Sequence, residues 1–410
     1  MANPALLLTL EYPPDQGGVA RYYKNLAEHF RAEELLVRRR GLLWRYFWPQ
    51  WLPTLWRLPR WVKQGGVSVV LVGQVLPLGY SAWLWQKIKK TPYLIFTHGL
   101  DILLPQSRRW KRFWLLKILS GAKAVVANSQ FTALELKKLG LSEKKIEIIY
   151  PTVDSEFFRP TREEERRGCP AFPYILSVGR LVRRKGFDRV IEVLPRLIKF
   201  SPDVRYVLAG RGPDREYLRK KAVANGVAER VIFLEDVDDT ALRHLYQQCR
   251  VLALPCRRLG VCRRLPYSAA IEKFWLQIVQ FASTYFSQIR FSALHNFRSK
   301  FFNFATKEQS ATDPVGPDVE GLGTVILEAA ACGKPVVVGK SGGAPEAVKH
   351  GYSGFLVDPD SPDELAQALI KILTDQDFAR HLGEYGRQMV LEKFVIAREV
   401  EKLKKLLSKG

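Results

Sequence analysis

Short apolar runs recur along this chain with helical patterns between them, and they do so in two series. The first series runs through residues 5–10, 67–72, 93–97, 124–127 and 146–149, with a helical pattern at 19–30 behind a glycine pair. The second begins after a charged linker at 159–167 and runs through 174–178, 204–209, 231–234, 251–254, 335–338 and 355–357. Runs this short and this apolar are strands covered on both faces. Strands of that kind alternating with helices form parallel sheets with helices on either side. The expectation is an α/β chain of two Rossmann-like, doubly wound domains facing across a cleft. The N-terminal domain takes residues 1–165 and the C-terminal domain takes 166–256 and 315–390. In such folds ligands sit at the carboxyl ends of the strands, and between two facing domains that place is the cleft. Residues 363–409 read as helix, rich in Lys and Glu, and 391–410 are expected to pack back on the N-terminal domain.

The rhythm stops between 257 and 314. Residues 273–304 are aromatic and basic with few carboxylates, and show no strand–turn–helix pattern. They read as an insertion of one or two amphipathic helices.

Three loops between strand and helix carry chemistry. Pro13-Pro14-Asp15-Gln16-Gly17-Gly18-Val19 follows the first strand. Gly17 and Gly18 let backbone N–H groups approach an anion at a helix N-terminus. Gly179-Arg180-Leu181-Val182-Arg183-Arg184-Lys185-Gly186-Phe187 follows the first strand of the second series. Arg180 and Lys185 suit a diphosphate, one as a planar fork and one as a point charge. Arg183 and Arg184 read as solvated. The third loop runs from Asp318-Val319-Glu320 through Gly321, Leu322, Gly323 and Thr324 to Glu328. Thr324 starts a helix, so two carboxylates bracket a phosphate-binding backbone, one able to reach a sugar and the other a ribose. Asp236-Val237-Asp238 imitates a metal-binding D-x-D, but it follows a strand of the C-terminal domain, so no metal site is expected there.

The two carboxylates spaced as E-x7-E resemble the signature of the large family 4 of retaining glycosyltransferases. Leu208-Ala209-Gly210-Arg211-Gly212-Pro213, Thr97-His98-Gly99-Leu100-Asp101, Ala127-Asn128-Ser129-Gln130-Phe131-Thr132, Tyr150-Pro151 and Ser341-Gly342-Gly343-Ala344-Pro345-Glu346 follow the same family's order. The resemblance covers nearly the whole chain except the insertion. It implies the GT-B fold and transfer of a hexose, mannose mildly preferred, from a GDP- or UDP-linked sugar to a lipid-linked or glycan acceptor. It also implies roles. Glu320 would contact donor-sugar hydroxyls, and the N–H groups from Gly321 to Thr324 would hold the sugar and diphosphate. Glu328 would bind the ribose, Arg180 and Lys185 would neutralise the leaving diphosphate, and His98 would lie near the sugar's 6-position. Gly17 and Gly18 would let the N-terminal domain close. Family members need neither a divalent metal nor another cofactor. The chain departs from the pattern at Glu235, where glycine is usual, and in the 64 residues between Pro255 and Glu320. That excursion could be a membrane or acceptor element, a lesion, or a tolerated insertion; the last is favoured, and an impaired membrane-bound member is the alternative.

With 64 basic and 41 acidic side chains, the net charge of +23 favours anionic partners. Nine of the ten tryptophans precede residue 115, interleaved with Arg and Lys. Trp with Lys and Arg is the composition of an interfacial segment on an anionic bilayer. No nucleic-acid motif accompanies the charge, so nucleic acid is not an expected partner. Five cysteines without a C-x-x-C pair fit a reducing cytoplasm. Residues 1–10 read as a strand and no apolar run spans a bilayer. The expected location is cytoplasmic, peripheral on the cytoplasmic face of the membrane.

Overall fold

The computed structural model describes residues 4–15, 17–43, 49–161, 172–261 and 315–408. The chain divides into two compact units, Met1–Leu259 with Asp318–Gly410, and Gly260–Pro317.

The larger unit holds two sheets of six strands each. In the first lobe the elements are β1 (Ala5–Leu8), α1 (Gly18–Ala27), β2 (Leu35–Arg38), α2 (Leu52–Gly65), β3 (Val69–Val72), α3 (Leu78–Lys89), β4 (Tyr93–Thr97), α4 (Leu100–Leu103), α5 (Arg109–Gly121), β5 (Ala124–Ala127), α6 (Gln130–Lys138) and β6 (Ile146–Ile148). The strand order is β2-β1-β3-β4-β5-β6, every pair parallel. In the second lobe they are β7 (Tyr174–Val178), α7 (Phe187–Ile198), β8 (Arg205–Ala209), α8 (Arg215–Ala224), β9 (Val231–Leu234), α9 (Asp239–Gln248) and β10 (Val251–Leu254). After the smaller unit the lobe resumes with α10 (Thr324–Ala331), β13 (Val336–Gly339), β14 (Gly354–Val357), α11 (Pro362–Thr374), α12 (Gln376–Lys393) and α13 (Ile396–Ser408). Its strand order is β14-β13-β10-β7-β8-β9, again parallel.

These orders follow from the side chains. Every residue of β3 and β10 is buried, as strands covered on both faces require. The helices between them are amphipathic: α7 buries Val190, Ile191, Val193, Leu194 and Leu197 against the second sheet. Ser129 caps α6 by accepting from Thr132 N at 3.1 Å, and Ser361 caps α11 ahead of Pro362. Strand order reverses beside β1 in the first lobe and beside β7 in the second. Both crevices open at carboxyl ends of strands, which is where a doubly wound sheet binds ligands.

Two features differ from the pattern read in the sequence. Strand β2 has only three apolar residues before a run of arginines, and its outer position lets the last of them face solvent. The terminal stretch is three helices, and the last, α13, lies on the first lobe. Val400 and Leu403 join that lobe's core, Glu399 accepts from Tyr150 N at 2.9 Å, and Lys402 donates to Ile148 O at 3.1 Å.

In the smaller unit the described residues are its ends. Leu259–Val261 (β11) and Val315–Asp318 (β12) pair in a two-stranded sheet. The amphipathic helices expected in the insertion fall on 262–314, outside the described residues.

Helices α2, α3 and α5, with Trp51 just before α2, carry the tryptophans among the described residues of the first lobe. Trp51 stacks on Tyr80 at 5.5 Å between ring centroids, Tyr80 on Trp110 at 6.3 Å, and Trp83 meets Trp114 edge-on at 5.4 Å. Trp56, Trp110 and Phe113 remain exposed. Trp44 and Trp48 lie outside the described residues. No helix among the described residues is long and apolar enough to cross a membrane.

Candidate active site

The loop after β7 makes a short 3-10 turn, Arg183–Lys185, closed by Gly186 at a φ of 72°. A side chain at Gly186 would put its Cβ 2.0 Å from the Pro255 carbonyl oxygen, so the tight turn requires glycine there. The turn aims two cations at the loop before α10. Lys185 Nζ stands 2.8 Å and Arg184 Nη1 2.9 Å from the same oxygen, Glu320 Oε2. All three side chains are largely buried. Burial works against the charge on Glu320, but Lys185 and then Arg184 outweigh it and hold the carboxyl below its ordinary range. The Glu320 backbone is cradled as well: Gly343 N donates to Glu320 O at 3.0 Å, and a Cβ on Gly342 would stand 2.0 Å from that oxygen.

Arg180, expected beside Lys185, is exposed and forms no ion pair among the described residues. Arg184, read from the sequence as solvated, occupies that place. Arg183 sits over the Tyr217 ring, its guanidinium carbon 3.2 Å from the centroid.

Glu328 is 1% exposed, on the buried side of α10. Tyr246 donates to its Oε2 at 2.8 Å, and its Oε1 pairs with Arg21. Arg21 comes from α1 of the opposite lobe and also pairs with Asp239. It therefore bridges the cleft at the carboxylate expected to hold a ribose. Nothing local in the sequence announces this, because the partners are 307 positions apart.

The first lobe presents His98 at the end of β4. Its Nε2 lies 2.7 Å from Tyr23 Oη, and Tyr23 donates to Gly73 O at 2.6 Å. Burial pushes the imidazole down to about 4, against a smaller opposing effect of the Gly73 carbonyl, so the ring is neutral at physiological pH. Asp101 Oδ1 accepts from His98 N at 2.8 Å, while its Oδ2 is buried with no hydrogen-bond partner among the described residues. Burial raises this carboxyl to about 7, although backbone N–H groups oppose the shift.

Glycines line the surfaces where the lobes meet. A Cβ on Gly18 would stand 3.1 Å from Thr324 Oγ1, and one on Gly321 would stand 2.7 Å from His98 O. Gly17 has a φ of 148° and open space around it. Gly323, at a φ of 84°, is the N-cap of α10, and Leu322 beside it is buried. Thr324 is the first residue of that helix, so the helix N-terminus opens directly behind the Glu320–Gly323 loop. On the far side Glu346 crosses between lobes and accepts from Gln130 N at 2.8 Å and Phe131 N at 2.7 Å. A carboxylate at the N-terminus of α6 is favoured by the helix dipole.

The Asp236-Val237-Asp238 stretch has structural work. Asp238 caps α9 through Ala241 N at 2.7 Å, and Asp236 pairs with Arg211. The unusual Glu235 pairs with Arg215 at 3.0 Å.

Two family models match this chain. "Glycosyltransferase Family 4" matches residues 16–157, and "Glycosyl transferases group 1" matches 162–265 and 309–389. Between them they take in most of both lobes, including the loops that carry Gly17, Gly18, His98, Lys185 and Glu320. The chain belongs to glycosyltransferase family 4. It is a glycosyltransferase, with the GT-B fold of two parallel α/β lobes. Similar proteins include a GDP-mannose-dependent alpha-(1-6)-phosphatidylinositol monomannoside mannosyltransferase of Mycolicibacterium smegmatis, 28% identical over 98% of both chains. Another is a GDP-mannose-dependent monoacylated alpha-(1-6)-phosphatidylinositol monomannoside mannosyltransferase of Corynebacterium glutamicum, 26% identical over 95% of this chain and 93% of that one. Among solved structures the fold is shared with Anabaena HepE in complex with UDP, at a TM-score of 0.72 and 18% identity over 99% of this chain and all of that one. It is shared equally with a sucrose-phosphate synthase of Thermosynechococcus elongatus, at 0.73 and 18% over 99% and 98%.

Proposed function

We propose that this glycosyltransferase moves a hexose, with mannose preferred, from a GDP- or UDP-linked sugar to a lipid-linked or glycan acceptor with retention at the anomeric carbon. The observation that carries this reading is Glu320, in the loop before α10, held by Lys185 and Arg184 from the loop after β7. Alignment along nearly the full length of mannosyltransferases that take GDP-mannose supports the choice of sugar and of a lipid acceptor.

The chemistry follows from charge. Breaking the bond between sugar and diphosphate makes the diphosphate more negative and the anomeric carbon positive. Lys185 and Arg184 leave Glu320 for the diphosphate, joined by Arg180 from the same loop. A cation at the leaving group contributes about 3–4 kcal/mol in comparable sites, offset in part by the ion pair with Glu320 that it gives up. Released from them, Glu320 accepts from sugar hydroxyls. The N–H groups of Gly321, Leu322, Gly323 and Thr324 hold the sugar and diphosphate at the start of α10, and Glu328 accepts from the ribose. Gly17 and Gly18 allow α1 to approach the phosphates. His98, neutral, lies near the sugar's 6-position. The departing phosphate oxygen takes the acceptor's proton, so the acceptor enters on the face the diphosphate leaves. Side-chain cations neutralise the leaving group in this scheme, and no divalent metal is assigned.

The exposed Trp56, Trp110 and Phe113, flanked by the exposed Arg57, Arg60, Lys63, Arg109, Arg112 and Lys117, support peripheral docking on an anionic cytoplasmic leaflet. Each cation near such a surface contributes about 1 kcal/mol.

The test is a panel of GDP- and UDP-sugars offered to the purified protein with phosphatidylinositol mannoside acceptors. Product anomeric configuration is read by NMR. GDP-mannose turnover with a retained configuration is expected. An inverted product overturns the mechanism. Donor binding without turnover of any sugar favours the catalytically impaired reading.

A further inference from the structure

The turn that carries Arg184 and Lys185 is held by one buried arginine, Arg257, three residues beyond the end of β10. Its main-chain N donates to Arg184 O at 2.9 Å, and its Nε donates to Arg183 O at 3.1 Å. Its Nη2 donates to both carboxylate oxygens of Asp188, at 3.2 Å to Oδ1 and 2.9 Å to Oδ2. Asp188 is also buried, and it lies in the first turn of α7, where the helix dipole favours a carboxylate. Tyr217 closes a ring of contacts: its Oη donates to Asp188 Oδ2 at 3.3 Å, and Arg183 sits over its ring.

Two successive carbonyls are therefore fixed by a single residue. A peptide unit is planar, so holding Arg183 O and Arg184 O sets the planes on either side of Arg184 and the plane leading into Lys185. Those planes set the directions in which the two side chains leave the backbone, and both reach Glu320 Oε2. Arginine suits the task because Nε and Nη2 donate from one rigid fork, to Arg183 O and to Asp188 together. A lysine ammonium is a single point and lacks that fork. The Arg257 guanidinium is paired with Asp188, so its effect on a diphosphate runs through the turn. We propose that Arg257, anchored by Asp188, is a positioning residue for diphosphate binding, aiming Arg184 and Lys185 through the carbonyls of their turn. The proposal rests on the reading of those two cations as the ones that take the leaving diphosphate.

Arg257→Met combined with Asp188→Asn removes the anchor without leaving a buried charge unpaired. Arg257→Lys keeps a cation for Asp188 and loses the fork. Melting temperature checks the fold of each. Calorimetry with GDP and GMP, and with UDP and UMP, measures the margin by which a diphosphate binds tighter than its monophosphate. The same substitutions are made in a protein that already carries Lys185→Ala and Arg184→Ala. A displacement of about 1 Å at such groups costs up to about a hundredfold, so the double variant is expected to lose about tenfold of the margin and Arg257→Lys about threefold. Monophosphate affinity stays within about twofold of wild type, and without the two cations the substitutions change diphosphate affinity by less than about twofold. A folded variant that keeps the wild-type margin assigns Arg257 to stability alone and overturns the proposal; if the double variant does not fold, Arg257→Lys decides. A further loss of diphosphate affinity in the protein lacking both cations also overturns it, because Arg257 then touches the diphosphate itself. Equal mono- and diphosphate affinities in the wild type overturn the reading of the two cations, whereas a wild-type margin that survives these variants overturns this proposal alone.

Discussion

Lys185→Ala removes one of two cations that share a single carboxylate oxygen. Lys185 Nζ lies 2.8 Å from Glu320 Oε2, with its side chain 8% exposed and that of Glu320 13% exposed. Stripping one partner from a buried ion pair costs about 3–5 kcal/mol when the other is left uncompensated. Arg184 remains on the same oxygen at 2.9 Å, so a stability loss of about 2 kcal/mol is expected, a few degrees of melting temperature in a chain of this length. The loss in turnover is larger. A preorganised charge at the leaving group contributes about 3–4 kcal/mol to the transition state, or about two to three orders of magnitude in kcat. The acid limb should move as well. Because the folded carboxyl of Glu320 titrates below its ordinary value of 4.5, its stabilisation is present above that value and fades as pH falls through the lower folded one. Without Lys185 that window narrows. The assay pairs initial rates on the preferred nucleotide sugar with thermal melts from pH 3 to 8. A folded Lys185→Ala protein with kcat within threefold of wild type would refute the reasoning.

Other perturbations have equally definite outcomes. Gly321→Ala puts a Cβ against His98 O and Asn128 Nδ2 and holds the lobes apart; turnover should fall by about a hundredfold with melting nearly unchanged, and normal turnover would refute the closure contact. Arg21→Ala combined with Glu328→Gln in a double-mutant cycle, followed by urea unfolding, should return a coupling of about 1–3 kcal/mol across the cleft, whereas additive effects would deny the bridge. Asp101 holds its proton from the ordinary value of 3.8 up to about 7, so over that range the folded state binds the extra proton and this group's stabilisation is lost as pH rises. Asp101→Asn should therefore gain melting temperature relative to wild type between pH 4 and 7, and parallel profiles would count against it. Serine at Trp56, Trp110 and Phe113 together should reduce sedimentation with phosphatidylglycerol vesicles at least tenfold while donor hydrolysis persists; unchanged sedimentation would remove this face from the membrane.

Much of the fold was legible because buried parallel strands declare themselves. Stretches such as Val69–Val72 and Val336–Gly339 are apolar throughout and leave no face for water. Strand β2 was not, since its outer position accepts Arg38 and so breaks the pattern that marks a covered strand. The glycine loops were legible because turns and helix N-termini restrict residue type, and the carboxylates at 320 and 328 were singled out by their E-x7-E spacing. Which arginine meets Glu320 was not. Arg180 and Arg184 share a loop, and only the turn at Arg183–Lys185 settles which of them points inward. The cross-lobe partners of Arg21 and Glu346 were not legible for another reason. Each acts on the opposite lobe, and no local period in the sequence encodes a partner so distant.

The most direct test is a calorimetric comparison of GDP, GMP and GDP-mannose, and of UDP with UMP, on wild type and on Lys185→Ala with Arg184→Ala. If the two side chains clasp a diphosphate, at least one diphosphate binds tenfold or more tighter than its monophosphate, and the double variant erases that margin. Equal affinities for mono- and diphosphates in the wild type, or a margin that survives loss of both cations, would contradict it.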